Sequence, residues 1–190
     1  PLQAKRDAPV QPAMRHGCPR LSASFDCSGS CVPVTCAFGL LKMRVAVSSI
    51  IEKPIEQLFW MSQDYTRRLE WDVYLSEAYL LGGQKVAAIG VESLCKNRGG
   101  SVLISKYLSF CPPTHAAVQM TKGPWVLSQF SGTWRFKALP HEKTEVRFIY
   151  NFKVRPFVLR WLLEPLIAAF YRRDMQRRLE AFKSWAQEQG

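Results

Sequence analysis

The sequence predicts an α+β domain in which an antiparallel sheet of seven strands is covered by one long C-terminal helix. Three observations favour this fold. Two stretches within residues 130–154 carry an aromatic or β-branched residue at almost every second position, which is the period of a strand with one buried face. A short polar link, residues 139–144, joins them as in a β-hairpin. A helical apolar stripe follows at once, so the helix is placed to cover the aromatic face of the sheet.

The elements before this hairpin follow in order from Met43. Residues 44–51 alternate as a strand, and Pro54 suits the first position of a helix. Asp64 can cap a second short helix that ends near residues 71–72. Four more strands, each ended by Gly or Pro residues or by a Gly-containing turn, are predicted at residues 73–81, 85–96, 101–111 and 115–122.

A proline sets the expected start of the last helix. Residues 157–171 are apolar except for Arg160, Glu164 and Pro165. Because proline inside a helix costs about 3 kcal/mol, we expect a short helix or turn first and the main helix from near Pro165. Its predicted core stripe consists of Ala168, Tyr171, Met175, Leu179 and Phe182, and the arginines at positions 172, 173, 177 and 178 are expected to lie largely off that stripe.

Residues 1–42 differ from the rest of the chain. They are rich in Pro, Ser, Cys and Gly and have no helical or strand periodicity, so we expect a mostly disordered extension ahead of a domain at residues 43–190. Three explanations remain open: a targeting leader such as a transit peptide, a natural tail, or sequence upstream of a true start at Met43. Four cysteines lie in this segment, but their spacing lacks paired Cys-x-x-Cys knuckles, so no metal site is predicted.

Bulk properties limit the environment and the partners of the chain. With 190 residues, of which 47% are hydrophobic, it can form one domain with a real core. The net charge of +11 favours an acidic partner, namely anionic lipid, RNA or an acidic protein, although a solvated basic surface explains it equally well. No apolar run reaches the ~18 residues of a membrane span. We expect a cytoplasmic location, or an organelle matrix if residues 1–42 are a transit peptide.

Four short motifs resemble the helix-grip superfamily, which includes START-like lipid-transfer domains, birch pollen allergen-like proteins and polyketide cyclases. They lie at residues 53–59, 68–72, 130–137 and 145–148, and the second contains a Trp-Asp pair. The last two resemble the polyketide cyclase/dehydrase branch, with its coenzyme Q-binding and ribosome-association toxin proteins. The resemblance covers about residues 43–187. It implies a curved sheet wrapped around the long helix, with a cavity between them.

The cavity would lie against the aromatic strands, whose ring surface exceeds what one helix stripe can cover. An apolar ligand that buries such surface gains roughly 25 cal/mol per Å². The alternative is that the rings interlock as a closed core. The residues predicted to bind the ligand are Trp71, Trp134, Phe136, Phe148, Tyr150, Phe152, Tyr171 and Met175.

Few polar residues suggest a reaction. Candidates for orienting a ligand are Glu92, Lys106, Gln119, Arg135 and Tyr150, and Tyr150 is favoured because it is in register with the neighbouring phenylalanines. The histidines at positions 115 and 141 are expected to be exposed. The part of the sequence after residue 42 has no catalytic triad, phosphate loop or metal cluster, so no cofactor and no catalytic residue are predicted.

The sequence therefore predicts binding, and transport or chaperoning, of a hydrophobic small molecule such as a quinone, lipid or polyketide. One rival hypothesis is a polyketide cyclase/dehydratase, and another is a ribosome-associated regulator of the toxin type. Residues 157–183 combine apolar and basic residues, so peripheral membrane contact is a further expectation. The ribosome is a second expected partner, and DNA is not expected.

Overall fold

The order of the elements agrees with the sequence prediction. The computed structural model describes residues 43–155 and 160–189, so the predicted extension at residues 1–42 lies outside the described part and stays a prediction. The elements are β1 Met43–Ile51, α1 Ile55–Gln63, α2 Arg68–Trp71, β2 Leu75–Leu80, β3 Glu92–Asn97, β4 Val102–Cys111, β5 His115–Lys122, β6 Leu127–Leu139, β7 Lys143–Val154 and α3 Arg160–Glu188.

The seven strands form one antiparallel sheet in the order β1-β7-β6-β5-β4-β3-β2. Consecutive strands from β2 to β7 are neighbours, and β1 pairs with β7 over its whole length. Register shifts interrupt β2, β4 and β6, and such bulges bend a strand and increase its twist. The long helix α3 packs against β1 and β7. This architecture confirms the α+β class and the helix-grip arrangement.

Helix α3 corrects the expected role of Pro165. The helix is described from Arg160, and Pro165 lies inside it, so the prediction of a main helix starting near Pro165 was wrong. Proline removes the hydrogen bond to the carbonyl four residues earlier, here that of Trp161. Trp161 lies in the first described turn and is 77% exposed, so water can reach this end of the helix. The helix therefore loses one bond near its end rather than breaking.

Strand β3 is shorter than predicted. It begins at Glu92 rather than at Lys85, because residues 84–91 form a loop. Gly90 in this loop has φ +88°, a value that suits glycine and does not occur in a regular strand. The apparent strand pattern was misleading, since Val86 and Ile89 are both exposed.

Aromatic rings fill the core between β6, β7 and α3. Trp134 stacks on Phe148 with ring centroids 4.1 Å apart, and Phe182 of α3 lies 5.7 Å from Trp134 and 4.8 Å from Trp71. Met175, Leu179 and Phe182 of the predicted stripe are buried, and Ala168 and Tyr171 are partly buried. No helix in residues 43–155 and 160–189 is both long and apolar enough to cross a bilayer.

Candidate functional site

A cavity of about 130 Å³ lies between the inner face of the sheet and α3. Strands β2 to β7 contribute to its wall, together with the α1–α2 region and α3. Its apolar part is lined by Leu75, Leu103, Val118, Leu127 and Phe130.

The space exists because several inward positions of β3 to β6 carry small side chains. Ser93, Ser105, Ala116 and Gly132 all line the cavity, and none of them reaches far from the sheet. Since protein interiors are close-packed, a run of small inward residues leaves a void unless a neighbour fills it. Rings of β6 and β7 also line the cavity, namely Phe130, Trp134, Phe148 and Tyr150, so the small inward side chains act together with the ring surface that the sequence predicted.

Gly132 shapes one wall of the cavity. It pairs with Tyr150 across β6 and β7, and a Cβ atom at Gly132 would lie 3.3 Å from Cε1 of the Tyr150 ring. The absent side chain lets the tyrosine ring lie close over the β6 backbone. The Tyr150 ring also contacts the rings of Phe130 and Phe148, each with centroids 4.7 Å away.

The polar end of the cavity contains a buried ion network centred on Asp72. Arg68, one helical turn earlier, donates from Nε to Oδ2 of Asp72 at 2.9 Å. Arg178 of α3 donates from Nε to Oδ1 at 2.9 Å and from Nη2 to Oδ2 at 2.7 Å. Asp72 is 1% exposed. The network therefore joins the end of α2 to α3 inside the core.

Opposing effects act on the Asp72 carboxyl. Burial disfavours its charge, but the guanidinium groups of Arg178 and Arg68 outweigh burial and hold the pKa of Asp72 below its usual range. Asp174, half-buried at the cavity, behaves differently. Burial raises the pKa of the Asp174 carboxyl, although Arg178 lies only 3.7 Å away and opposes that shift. The fully buried charge of the site is thus two guanidinium groups and one carboxylate.

Tyr150 connects this network to the sheet. Its hydroxyl accepts a hydrogen bond of 2.6 Å from Nη1 of Arg178. Burial raises the pKa of Tyr150 to about 12, and the positive charge of Arg178 offsets only part of that effect. The phenol therefore stays protonated at neutral pH and can act as a hydrogen-bonding group.

A second set of polar groups lies near Arg68 at the cavity wall. The Tyr107 hydroxyl donates to Oε1 of Gln63 at 2.9 Å and lies 3.3 Å from the Tyr65 hydroxyl. Burial raises the pKa of both tyrosines, so both phenols are neutral at neutral pH. These groups, together with Arg68 and Arg178, give the cavity one polar end and one apolar part.

The eight predicted ligand-binding residues divide into two groups. Four of them line the cavity, namely Trp134, Phe148, Tyr150 and Tyr171. The other four are buried in the surrounding core rather than in the cavity wall, namely Trp71, Phe136, Phe152 and Met175. A closed core and an open cavity are thus both present, in adjacent parts of the sheet. The role of all eight residues in ligand binding stays a prediction.

Among the polar candidates, only Tyr150 lies at the cavity. Lys106, Gln119 and Arg135 are exposed, and Glu92 accepts a hydrogen bond from the exposed Thr121. His141 is exposed as expected, in a turn with φ +61°. His115 was expected to be exposed but is half-buried, with Nε2 2.9 Å from Oγ of Ser109, and burial lowers its pKa.

Sequence reasoning missed the residues that form the polar end. Arg178 was assigned to the polar side of α3 but is 5% exposed. Its position three residues after Met175 and four before Phe182 places it on the core stripe, which was a signal available in the sequence. The spacing of Arg68 and Asp72, four residues apart, was a second signal. Within residues 43–155 and 160–189, no group of three or more metal-ligating side chains comes together.

Comparison with known proteins agrees with this geometry. The family model for polyketide cyclase/dehydrase and lipid transport matches residues 42–187. No curated protein matches the chain at a significant level.

Solved structures share the fold at low sequence identity. A START superfamily protein from Mycobacterium smegmatis aligns with a TM-score of 0.64 at 10% identity, covering 77% of this chain and 99% of its own. The Zhui aromatase/cyclase from Streptomyces sp. R1128 aligns with a TM-score of 0.64 at 14% identity, covering 77% of this chain and 94% of its own. Norcoclaurine synthase from Thalictrum flavum aligns with a TM-score of 0.61 at 11% identity, covering 78% of this chain and 96% of its own.

Proposed function

The chain belongs to the polyketide cyclase/dehydrase and lipid transport family, and on this premise we propose that it binds a hydrophobic small molecule in the cavity between sheet and α3. The observation that carries the proposal is the cavity itself, whose wall combines apolar side chains with buried hydrogen-bonding groups. Ligand sites in proteins typically have this composition, because apolar walls supply affinity and a few polar groups set orientation.

The size of the cavity limits what the closed form can hold. Its volume of about 130 Å³ is close to the ~150 Å³ of an engineered cavity that binds benzene. Pockets for drug-sized ligands span roughly 300–1,000 Å³. One aromatic ring or a short apolar chain fits directly. A quinone, lipid or polyketide would require the wall to move, and the first turns of α3, with several exposed apolar side chains, are the element we propose to move.

We propose further that the ligand is exchanged at a membrane surface. The outer side of α3 exposes the apolar residues Trp161, Leu162, Leu166 and Phe170. The basic residues Arg172, Arg173 and Arg177 follow them and are also exposed. Exposed rings beside cationic side chains suit the interface of an anionic bilayer, which accepts the rings among its acyl chains and attracts the arginines. Of the segment expected to make this contact, residues 157–159 lie outside the described residues.

A cyclase/dehydratase is the second candidate, and Asp174 favours it. A carboxyl group with a raised pKa at the wall of a ligand cavity is suited to move a proton, and Arg178 beside it can polarise a carbonyl oxygen. Turnover of an aromatic polyketide substrate that is lost in Asp174→Asn but retained in Asp64→Asn, which changes a carboxylate outside the cavity wall, would support this function. The ribosome-associated alternative and the coenzyme Q specificity stay predictions, because no described contact favours either.

Native mass spectrometry with solvent extraction, applied to protein purified from its own source, tests the binding function. We expect a copurifying apolar molecule of defined mass that is released by organic solvent. Protein that is consistently free of such a molecule, and that also fails to bind added aromatic compounds, would contradict the proposal.

A further inference from the structure

The polar end of the cavity has more buried positive charge than buried negative charge. Arg68 is 6% exposed and Arg178 is 5% exposed, and the one fully buried carboxylate between them is that of Asp72. The Asp174 side chain is 14% exposed and contacts Arg178 only at the longer distance of 3.7 Å, so it compensates the buried positive charge less than Asp72 does. A buried cation is stable only when nearby acceptors or anions compensate for its lost hydration.

The side chain of Arg68 has an unused donor at the cavity. Its Nε donates to Asp72, and its Nη1 donates to the backbone oxygen of Ser62 at 3.0 Å. In the described part of the chain, Nη2 of Arg68 makes no hydrogen bond. Arg68 nevertheless belongs to the cavity wall. The two hydrogens on Nη2 are therefore available to a molecule that enters.

The orientation of Arg68 is fixed before any ligand arrives. Its guanidinium carbon lies 4.3 Å from the centroid of the Trp71 ring, and its two hydrogen bonds prevent rotation about the end of the side chain. A donor that is already oriented loses little conformational entropy when a ligand binds. The Tyr65 hydroxyl at the cavity wall is neutral and can donate a hydrogen bond to the ligand, whereas the proton of the Tyr107 hydroxyl is already donated to Gln63.

We propose that the ligand is an acid: an apolar body with one carboxylate, whose oxygen accepts hydrogen bonds from Nη2 of Arg68. The apolar body then lies against Leu103, Val118 and Leu127. The carboxylate supplies the negative charge that the two guanidinium groups lack. This inference rests on the proposed function and adds the chemical class of the ligand to it.

A panel of three one-ring probes of similar shape tests this inference: benzoate, benzamide and benzylammonium. Their affinities for the full chain are measured by titration calorimetry at neutral pH. A hydrogen bond to a charged group is worth about 1.5–3 kcal/mol, so we expect the carboxylate to bind at least about tenfold more tightly than the amide. The ammonium probe, which carries the same charge as the wall, is expected to bind more weakly than both.

Substitution of Arg68 tests whether this residue causes the preference for the carboxylate over the amide. Arg68→Gln is expected to lower the affinity for the carboxylate to that for the amide, and to change the affinity for the amide little. Arg44→Gln is the matched control, because it removes one positive charge from an exposed position on β1 and should leave the ratio unchanged. If Arg68→Gln does not fold, the comparison of the three probes on the unaltered protein still tests whether the cavity prefers a carboxylate.

The outcomes separate the two proposals. Equal affinity for the carboxylate and the amide would overturn the inference and leave the cavity function intact. A preference for the carboxylate that persists in a folded Arg68→Gln protein would overturn the inference in the same way. Failure of all three probes to bind saturably would overturn both proposals.

Discussion

Arg178 and Asp72 are 106 positions apart in the chain and are joined in the core by two hydrogen bonds of 2.9 and 2.7 Å. This pair attaches the C-terminal helix to the end of α2, and it places a guanidinium group at the cavity wall. The same residues therefore contribute to the stability of the fold and to the chemistry of the site.

Loss of the central carboxylate is expected to destabilise the protein strongly. Asp72→Asn leaves two guanidinium groups buried without an anion between them, and breaking a buried ion pair typically costs about 3–5 kcal/mol. Urea unfolding gives the free energy of unfolding. Glu77→Gln, which breaks the exposed pair with Lys96, is the matched control and should change stability by about 1 kcal/mol or less. A loss below about 1 kcal/mol in Asp72→Asn would show that the network does not hold α3 in place.

The same carboxylate should make the protein sensitive to acid. The pKa of Asp72 is lowered in the folded state, so its contribution to stability is fully present above the unfolded value of about 3.9 and is lost as the pH falls through the folded value. We expect the unfolding free energy of the wild type to fall more steeply than that of Asp72→Asn between about pH 5 and pH 2. Parallel pH profiles for the two proteins would contradict the assignment.

Gly132 and Tyr150 are expected to be energetically coupled. In Gly132→Ala the new methyl group meets the tyrosine ring, which the hydrogen bond to Arg178 prevents from moving away. Overpacking costs about 1–3 kcal/mol, and the lower chain entropy of alanine offsets about 0.5–1 kcal/mol of that. The net loss of stability should shrink in a Tyr150→Phe background, where the ring is no longer anchored. A double-mutant cycle measures this coupling, and strict additivity would argue against it.

Membrane contact through α3 is tested by flotation with phosphatidylcholine vesicles, with and without phosphatidylglycerol. We expect binding that depends on the anionic lipid and falls about tenfold in Trp161→Ser, because an exposed ring no longer inserts. Ile89→Ser removes another exposed apolar side chain, from the β2–β3 loop, and serves as the control. Binding that is equal with and without phosphatidylglycerol, or equal in the two variants, would contradict a docking surface on α3.

The sequence predicted the aromatic strands well, because period-two alternation is a strong local signal. Trp134 and Phe148 came from different strands of that pattern and stack face to face as neighbours. The expectation that a proline marks the start of a helix failed at Pro165, because a proline near a helix end removes only one hydrogen bond. The strand prediction failed before Glu92, where a loop contains apolar residues that alternate without being buried.

The cavity and its charges were harder to predict because they depend on pairs distant in sequence. Small residues such as Ser93 and Ser105 give no pattern of their own, and the void appears only when neighbouring strands align them. Arginine is usually a surface residue, and the burial of Arg178 depends on Asp72, which directly follows α2. Periodicity indicates which face of an element is buried, but not which polar group finds a partner there.

The most direct test of the central claim is to fill the cavity and measure the affinity for a neutral aromatic probe. Val118 lines the cavity, whereas the next residue, Gln119, is exposed. Calorimetric titration with benzamide should show saturable binding to the wild type and to Gln119→Trp. Val118→Trp should bind at least about tenfold more weakly, because the new ring occupies the space of the ligand. Unchanged affinity in a folded Val118→Trp protein would contradict binding in this cavity.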